Sequence, residues 1–348
     1  MNTETTDLKE QWKQLQATKP NLRIRDAAQE LGVSEAELLA TRCGEGVSRI
    51  EGNWQDVIKE LPRLGNVMCL TRNEQAVHER YGVFREVSFF GPVMGQVVGP
   101  DIDLRLFTNH WHIGFAVADE TKEGIRHSLQ FFDFDGKAVH KVYLQADGDQ
   151  AAYDDIVSKY RSENQATTQV TGPVQGPAPE KPDSEIDVEG FRAAWLGAKD
   201  THDFFIIMRK FGVSRIQALR LAPEGYAVQV PTSSTKLMLE SASFSETPIM
   251  VFIGSAGCLQ IHTGPVKNIK MFGTEWLNVL DDEFNMHLKD TEVTSAWIVR
   301  KPTQDGEVTS LELFNAANEN IVLFFGKRKP VQPEDEAWRK ILAELPRA

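Results

Sequence analysis

The sequence predicts an α+β protein made by internal duplication: two similar domains, each with N-terminal helices followed by a large antiparallel β-sheet. Three observations lead there. Each half opens with helical periodicity. Each half then changes to short runs rich in β-branched and aromatic residues, separated by Gly, Pro and Asp. The halves also match in residues. Gly32-Val33-Ser34 recurs as Gly212-Val213-Ser214, 180 positions on, and Val67-Met68-Cys69-Leu70 as Ile249-Met250-Val251-Phe252, 182 on. Gly82 falls on Gly264 and Leu129-Gln130-Phe131-Phe132 on Leu311-Glu312-Leu313-Phe314, both 182 on, while residues 104–115 are laid on 277–288, 173 on. Repeated offsets in the same order indicate two copies of one unit.

The elements follow in chain order. Residues 7–17 place Leu8, Trp12 and Leu15 on one helical face. Residues 24–31 and 34–42 read as two more helices, with Ser34 and Glu37 forming a capping box. Residues 27–40 also resemble a helix-turn-helix. A plain helical hairpin with a glycine turn is favoured, because residues 34–40 carry Glu35 and Glu37 and no Lys or Arg for phosphates. Strands are expected at 67–70, 83–90, 104–107, 112–117, 128–132 and 141–144, with a hairpin turn at Asp135-Gly136. A helix at 154–162 closes the first domain, 1–162. Residues 163–186 hold Pro173, Pro177, Pro179 and Pro182 without periodicity and read as an extended, mobile linker. The second domain, 187–348, begins with a helix over 189–211. Its strands are expected at 227–230, 249–253, 258–262, 276–280, 284–288, 294–300, 310–314 and 321–325.

At 348 residues the chain suits two domains of roughly 150 residues. A net charge of −12 argues against stable nucleic-acid binding. Three scattered cysteines, Cys43, Cys69 and Cys258, suggest neither a disulfide framework nor a thiolate metal site. The polar start lacks a secretory pattern, and no apolar run reaches the ~18 residues of a membrane span. A cytoplasmic location without membrane insertion is the expectation. Phosphate-loop, nucleophile-elbow and His-Glu-x-x-His motifs are absent, and no NAD-binding βαβ unit is visible.

One stretch stands out for chemistry, Asp200-Thr201-His202-Asp203-Phe204-Phe205. His202 heads an apolar run, and a neutral imidazole is a good axial ligand for iron. An exposed helix-cap histidine is the plain alternative. In the repeat register the position of His202 falls near Leu22, so the histidine breaks the duplication. Arg105 also breaks it, lying over Asn278; a strand arginine paired with Asp101 or Asp103 is its plain alternative. His78 lies in a polar segment, 73–80, that reads as surface, and is the rival ligand. His110 and His112 flank Trp111 as sheet-surface residues, and His262 and His287 read as structural.

With these residues in view, the chain resembles the haem-binding and haem-degrading proteins of the HemS/ChuS/HmuS family, along nearly its whole length. The likeness is carried by the Asp200 to Phe205 stretch, by Pro248-Ile249-Met250-Val251-Phe252-Ile253-Gly254, and by Cys258-Leu259-Gln260-Ile261-His262-Thr263-Gly264-Pro265-Val266. Trp276-Leu277-Asn278-Val279-Leu280-Asp281, Arg300-Lys301-Pro302-Thr303 and Thr309-Ser310-Leu311-Glu312-Leu313-Phe314 continue it.

The resemblance implies haem b, as ligand or substrate, held between the halves. It places the axial iron ligand on His202, a distal donor on Arg105, and basic pocket residues on Arg215, Lys301 and Arg328. Phe325 departs from the family pattern, where a tyrosine stands; losing a phenol removes a hydrogen-bond donor without touching the axial ligand.

Two functions follow from the resemblance. One is a carrier that accepts haem from an inner-membrane importer and passes it to a downstream acceptor. The other is a non-canonical haem oxygenase that degrades the haem and releases iron, with electrons from a separate reductase. Both use His202 and Arg105. A helix-turn-helix regulator is the distant third.

Overall fold

A computed structural model describes residues 7–174, 176, 179–328 and 332–347. The chain divides into two compact units. Unit 1 holds Met1–Arg72, Glu79–Gln175 and Ser255–Gln260; unit 2 holds Asn73–His78, Gly176–Gly254 and Ile261–Ala348.

Unit 1 opens with α1 (Leu8–Thr18), α2 (Ile24–Leu31) and α3 (Glu35–Ala40). The capping box forms as expected: Ser34 N donates to Glu37 Oε2 at 2.8 Å, and Glu37 N donates to Ser34 Oγ at 3.2 Å. The strands are β1 (Val47–Ile50), β2 (Asn66–Arg72), β3 (Ala76–Val83, whose first three residues belong to unit 2), β4 (Val87–Phe90), β5 (Met94–Val97), β6 (Asp103–Phe107), β7 (Ile113–Thr121), β8 (Gly124–Phe132) and β9 (Ala138–Leu144). Helix α4 (Trp54–Glu60) follows β1, and α5 (Gln150–Tyr160) follows β9. Five strands run antiparallel in the order β1-β7-β8-β9-β2, and three more in the order β4-β5-β6. Helices α4 and α5 bury Val57, Ile58, Tyr153 and Ile156 against Leu129, Phe131 and Val142.

Unit 2 repeats this plan. It contains α6 (Val188–Leu196), α7 (Asp203–Phe211), α8 (Arg215–Arg220), β10 (Ala227–Val230) and α9 (Ser234–Phe244). Then come β11 (Ile249–Gly254), β12 (Cys258–Gly264, whose first three residues belong to unit 1), β13 (Ile269–Phe272), β14 (Trp276–Leu280), β15 (Phe284–Lys289), β16 (Ser295–Thr303), β17 (Gly306–Phe314), β18 (Asn320–Gly326) and α10 (Glu336–Ala343). The five-stranded run is β10-β16-β17-β18-β11 and the three-stranded run is β13-β14-β15, so each strand of unit 1 has a counterpart in order. The duplication extends to details. Gly32 and Gly212 end α2 and α7 in the left-handed region, at φ 69° and 65°, where glycine carries no Cβ penalty. Ser34 and Ser214 then cap α3 and α8. A bulge at Phe131/Phe132 recurs at Leu313/Phe314.

The register corrects one alignment. Gln96 pairs with Arg105, and Asn278 pairs with His287, each pair 182 positions from the other. Arg105 therefore lies over His287, not Asn278, and the 173-residue offset is one strand out. Apolar alternation looks alike in neighbouring strands of a meander, so only pairing separates them.

Other differences are local. The helix expected over 189–211 is two helices, broken at Gly197 and the Asp200–His202 loop. The strand expected over 83–90 is confined mainly to β4. Helices α4, α8, α9 and α10, and strands β1, β3, β5 and β13, were not expected from the pattern. Most are short, and α9 is rich in serine. The linker is less free than its composition suggests. Arg49 donates to Ala166 O (3.0 Å), Thr168 O (2.6 Å) and Gln169 Oε1, tying residues 165–169 to unit 1. Gln217 Nε2 donates to Lys181 O at 2.8 Å and to Asp183 Oδ1 at 2.7 Å in unit 2.

Close packing of α4 on the sheet makes a testable point at Gly114 in β7. A Cβ there would sit 2.6 Å from Trp54 Cη2 and 2.9 Å from Ile50 Cγ1. Gly114→Ala is expected to destabilise unit 1 by about 1–3 kcal/mol through overpacking. Chemical denaturation would show this as a lower midpoint at unchanged slope; an unchanged midpoint would mean that the tryptophan swings aside freely.

Candidate functional site

Helix α7 buries Phe204, Ile207 and Met208 with Phe191 and Trp195. Its other face leaves Phe205 and Ile206 exposed, each at 62%. His202 is its N-cap residue, with a side chain 89% exposed. The preceding loop is wound by carboxylates. Asp203 Oδ2 accepts from Lys199 N at 2.9 Å and from Asp200 N at 3.0 Å. Asp200 Oδ1 accepts from His202 N at 2.8 Å and contacts His202 Nδ1. An ionised carboxylate is acceptor-only, so Nδ1 is the donor in this pair and carries a proton. The His202 backbone N–H is the main cause holding the Asp200 carboxyl below its usual range; the His202 side chain and the Arg328 charge act in the same sense.

Below α7 lies a buried ionic cluster. Glu312 on β17 is fully buried; its Oε1 accepts from Lys301 Nζ, Arg215 Nη2 and Ser310 Oγ, and its Oε2 from Arg215 Nε, all at 2.8 Å. Lys301 Nζ also lies 4.8 Å from the Phe204 ring centre and 5.5 Å from that of Phe325, and the Arg215 guanidinium carbon lies 5.6 Å from Phe204. Two of the residues assigned to the pocket, Arg215 and Lys301, thus converge on Phe204, and Lys301 also faces a third, Phe325, as sequence alone could not show. Their charges are already engaged, however. Two cations share one carboxylate, and Lys301 is 4% exposed. Burial pushes the Lys301 ammonium down to about 8, with Glu312 opposing. Despite burial, the attraction of Arg215 and Lys301 holds Glu312 far below the usual carboxylate range. Arg328 Nη2 lies 3.7 Å from Asp305 Oδ2, with its side chain 20% exposed.

Arg105 belongs to β6 in unit 1. Its Nη1 bonds Asp103 Oδ1 and Leu104 O (3.1 Å), the pairing its sequence neighbours suggested, with 37% of the side chain exposed. His78 corrects an expectation. The polar segment 73–80 is not a surface segment: Asn73 Oδ1 caps the turn into β3 through Gln75 N and Ala76 N, and His78 is buried, 4.9 Å from the Phe284 ring. A ligand captured from solvent is poorly served by such a residue. His110 and His112 sit beside a short helical turn, not on the sheet surface, and flank Asp133 at 3.1 and 3.7 Å. Among the described residues no group of three His, Cys, Asp or Glu is arranged to hold a metal ion. His262 stacks on Phe284 with centroids 3.8 Å apart, and His287 Nδ1 meets Asn278 Oδ1 at 2.7 Å, as structural strand residues do.

Sequence reasoning missed a cluster in unit 1, where Thr71 Oγ1 lies 2.8 Å from His140 Nδ1 and 3.5 Å from Cys258 Sγ. Burial pushes His140 down to about 3 and Cys258 up to about 12, so a neutral imidazole faces a protonated thiol, and this is no nucleophile. Sequence reasoning also missed the role of Glu312, whose only signal was an acid in the centre of an apolar strand.

No described helix is long and apolar enough to cross a membrane. The model of the haemin-degrading HemS.ChuX domain matches residues 32–160 and again 212–345. The chain is 37% identical to the hemin transport protein HemS of Yersinia enterocolitica over 97% of this chain and 96% of that one. It is 36% identical to the hemin transport protein HmuS of Yersinia pestis over 97% of each. Among solved structures it is similar to holo-PhuS, a haem-binding protein of Pseudomonas aeruginosa, with TM-score 0.95, 44% identity, and 98% and 99% of the two chains covered. It is also similar to ChuS, the haem-degrading enzyme of Escherichia coli O157:H7, with TM-score 0.89, 33% identity and the same coverage. A domain model matched twice, full-length relatives above 30% identity and a fold duplicated strand for strand place the chain in the HemS/ChuX family.

Proposed function

We propose that this protein binds haem through His202 in a bacterial haem-uptake system, receives imported haem, and passes it on or degrades it oxidatively to release iron. The observation that carries the reading is the pairing of an exposed imidazole, its Nδ1 held by Asp200, with the exposed apolar residues Phe205 and Ile206 on the same helix. A metal centre in a broad apolar ring suits that combination. Arg328, near the loop, offers a cation for a ring carboxylate. Arg215 offers Nη1, the guanidinium nitrogen that Glu312 leaves unengaged. Lys301 acts mainly on its own protein, as the partner of Glu312. Arg105, whose Nη1 bonds Asp103 Oδ1, is the proposed distal donor.

When bound, haem supplies the iron at which oxygen is activated; the protein ligates, orients and shields. Electrons for degradation come from a separate reductase. The names of the relatives support both transport and degradation.

The test is to add ferric haem to the purified protein, follow the Soret band, then supply ascorbate with and without catalase. A shifted Soret band at one-to-one stoichiometry is expected. Bleaching that survives catalase identifies degradation. A stable complex that hands haem to an acceptor identifies a carrier. No Soret change on adding haem would sink the reading.

A further inference from the structure

We infer that Asp200 is a positioning residue that pre-sets His202 for iron before any ligand arrives; the inference rests on the haem-binding reading above. Free neutral imidazole favours the proton on Nε2, the nitrogen a ligating helix-cap histidine must keep bare. In this chain the Asp200 carboxylate bonds both the His202 backbone N–H and Nδ1. The first bond fixes where the residue sits; the second fixes which nitrogen holds the proton. Asp203 in turn fixes Asp200 by accepting from its backbone N–H at 3.0 Å and from that of Lys199 at 2.9 Å. Two carboxylates acting in series thus orient one imidazole whose side chain is otherwise 89% exposed.

The device is confined to the second repeat. At the 180-residue offset, Asp200, His202 and Asp203 fall on Pro20, Leu22 and Arg23, so the duplicated plan does not require it. No side chain caps the start of α7; Asp203 instead binds the loop N–H groups of Lys199 and Asp200, and Asp200 is left for His202. A carboxylate on the far nitrogen of a ligating histidine raises its donor strength and restrains its rotation. Asp200 is therefore expected to strengthen the axial bond and to stabilise the ferric form.

The first readout needs no haem. Nitrogen-15 NMR of His202 in the haem-free protein is expected to show a protonated Nδ1 and a bare Nε2. Asp200→Ala is expected to reverse the tautomer, and Asp200→Asn, which keeps an acceptor oxygen but no charge, to retain it. With ferric haem, Asp200→Ala is expected to weaken affinity about tenfold. It should also raise the midpoint potential and lower the iron–histidine stretching frequency of the ferrous complex, with Asp200→Asn in between. Unchanged tautomer, affinity and stretching frequency in Asp200→Ala would overturn the inference while leaving His202 as the ligand. If His202→Ala itself leaves the haem spectrum unaltered, the haem-binding reading fails first. Circular dichroism of each variant separates these outcomes from loss of α7.

Discussion

Glu312→Ala is expected to destabilise unit 2 by about 3–5 kcal/mol, the usual cost of stranding a buried charge. Glu312 is fully buried and accepts four hydrogen bonds from Lys301, Arg215 and Ser310. Its removal leaves an ammonium facing two phenyl rings and a guanidinium beside it, with no counter-charge in a medium that penalises both. Lys301 will shed its proton more readily, limiting the loss but not removing it. The pH dependence has a definite sign. Glu312 titrates in the folded protein far below its usual value of 4.5. Its contribution is complete above that value and is lost as pH falls below it, because the unfolded chain then binds the proton more readily. Glu35 in unit 1 behaves alike: Lys141 and Arg72 outweigh its burial and hold it at about 2. Calorimetry from pH 7 to 3 is the check. The wild-type transition should fall on acidification below 4.5 and the Glu312→Gln transition should fall less steeply. A Glu312→Ala protein within about 1 kcal/mol of wild type would mean that the cluster contributes little.

His202→Ala is expected to abolish the wild-type Soret signature and to weaken ferric haem binding by more than about tenfold, or about 1.4 kcal/mol. The apolar surface of Phe205 and Ile206 remains, so residual, spectrally altered binding is the expected end state rather than none. His78→Ala should leave the Soret position in place, since that imidazole is buried against Phe284. The two variants measured side by side decide between the ligand assignments. A wild-type spectrum from His202→Ala, or its loss in His78→Ala with the fold intact, would reverse them.

Much of the fold was legible because its signals are local. Gly-Val-Ser ends one helix and caps the next, in either half, from three adjacent residues. Apart from β1, the strands of the five-stranded runs are rich in β-branched and aromatic residues, a signal that needs no context. What escaped was nonlocal or weakly patterned. Segment 73–80 reads as surface because its polar residues are spent on a turn. Helix α9 has too many serines for a strong periodic signal. The true register of Arg105 against the repeat required the pairing of two hairpins.

The site divides in the same way. The duplicated α+β plan, the singular histidine at the head of α7 and the family to which both belong are readable from the chain alone, because each rests on residues within a turn or two of each other. That Arg215 and Lys301 gather around Phe204, that Lys301 also faces Phe325, that Glu312 occupies both cations and that His78 is buried follow from the folded chain alone. Those outcomes join residues far apart in the chain. They depend on strand order and register, which bring α8, β16, β17 and β18 together, and on the cost of burying charge without a partner.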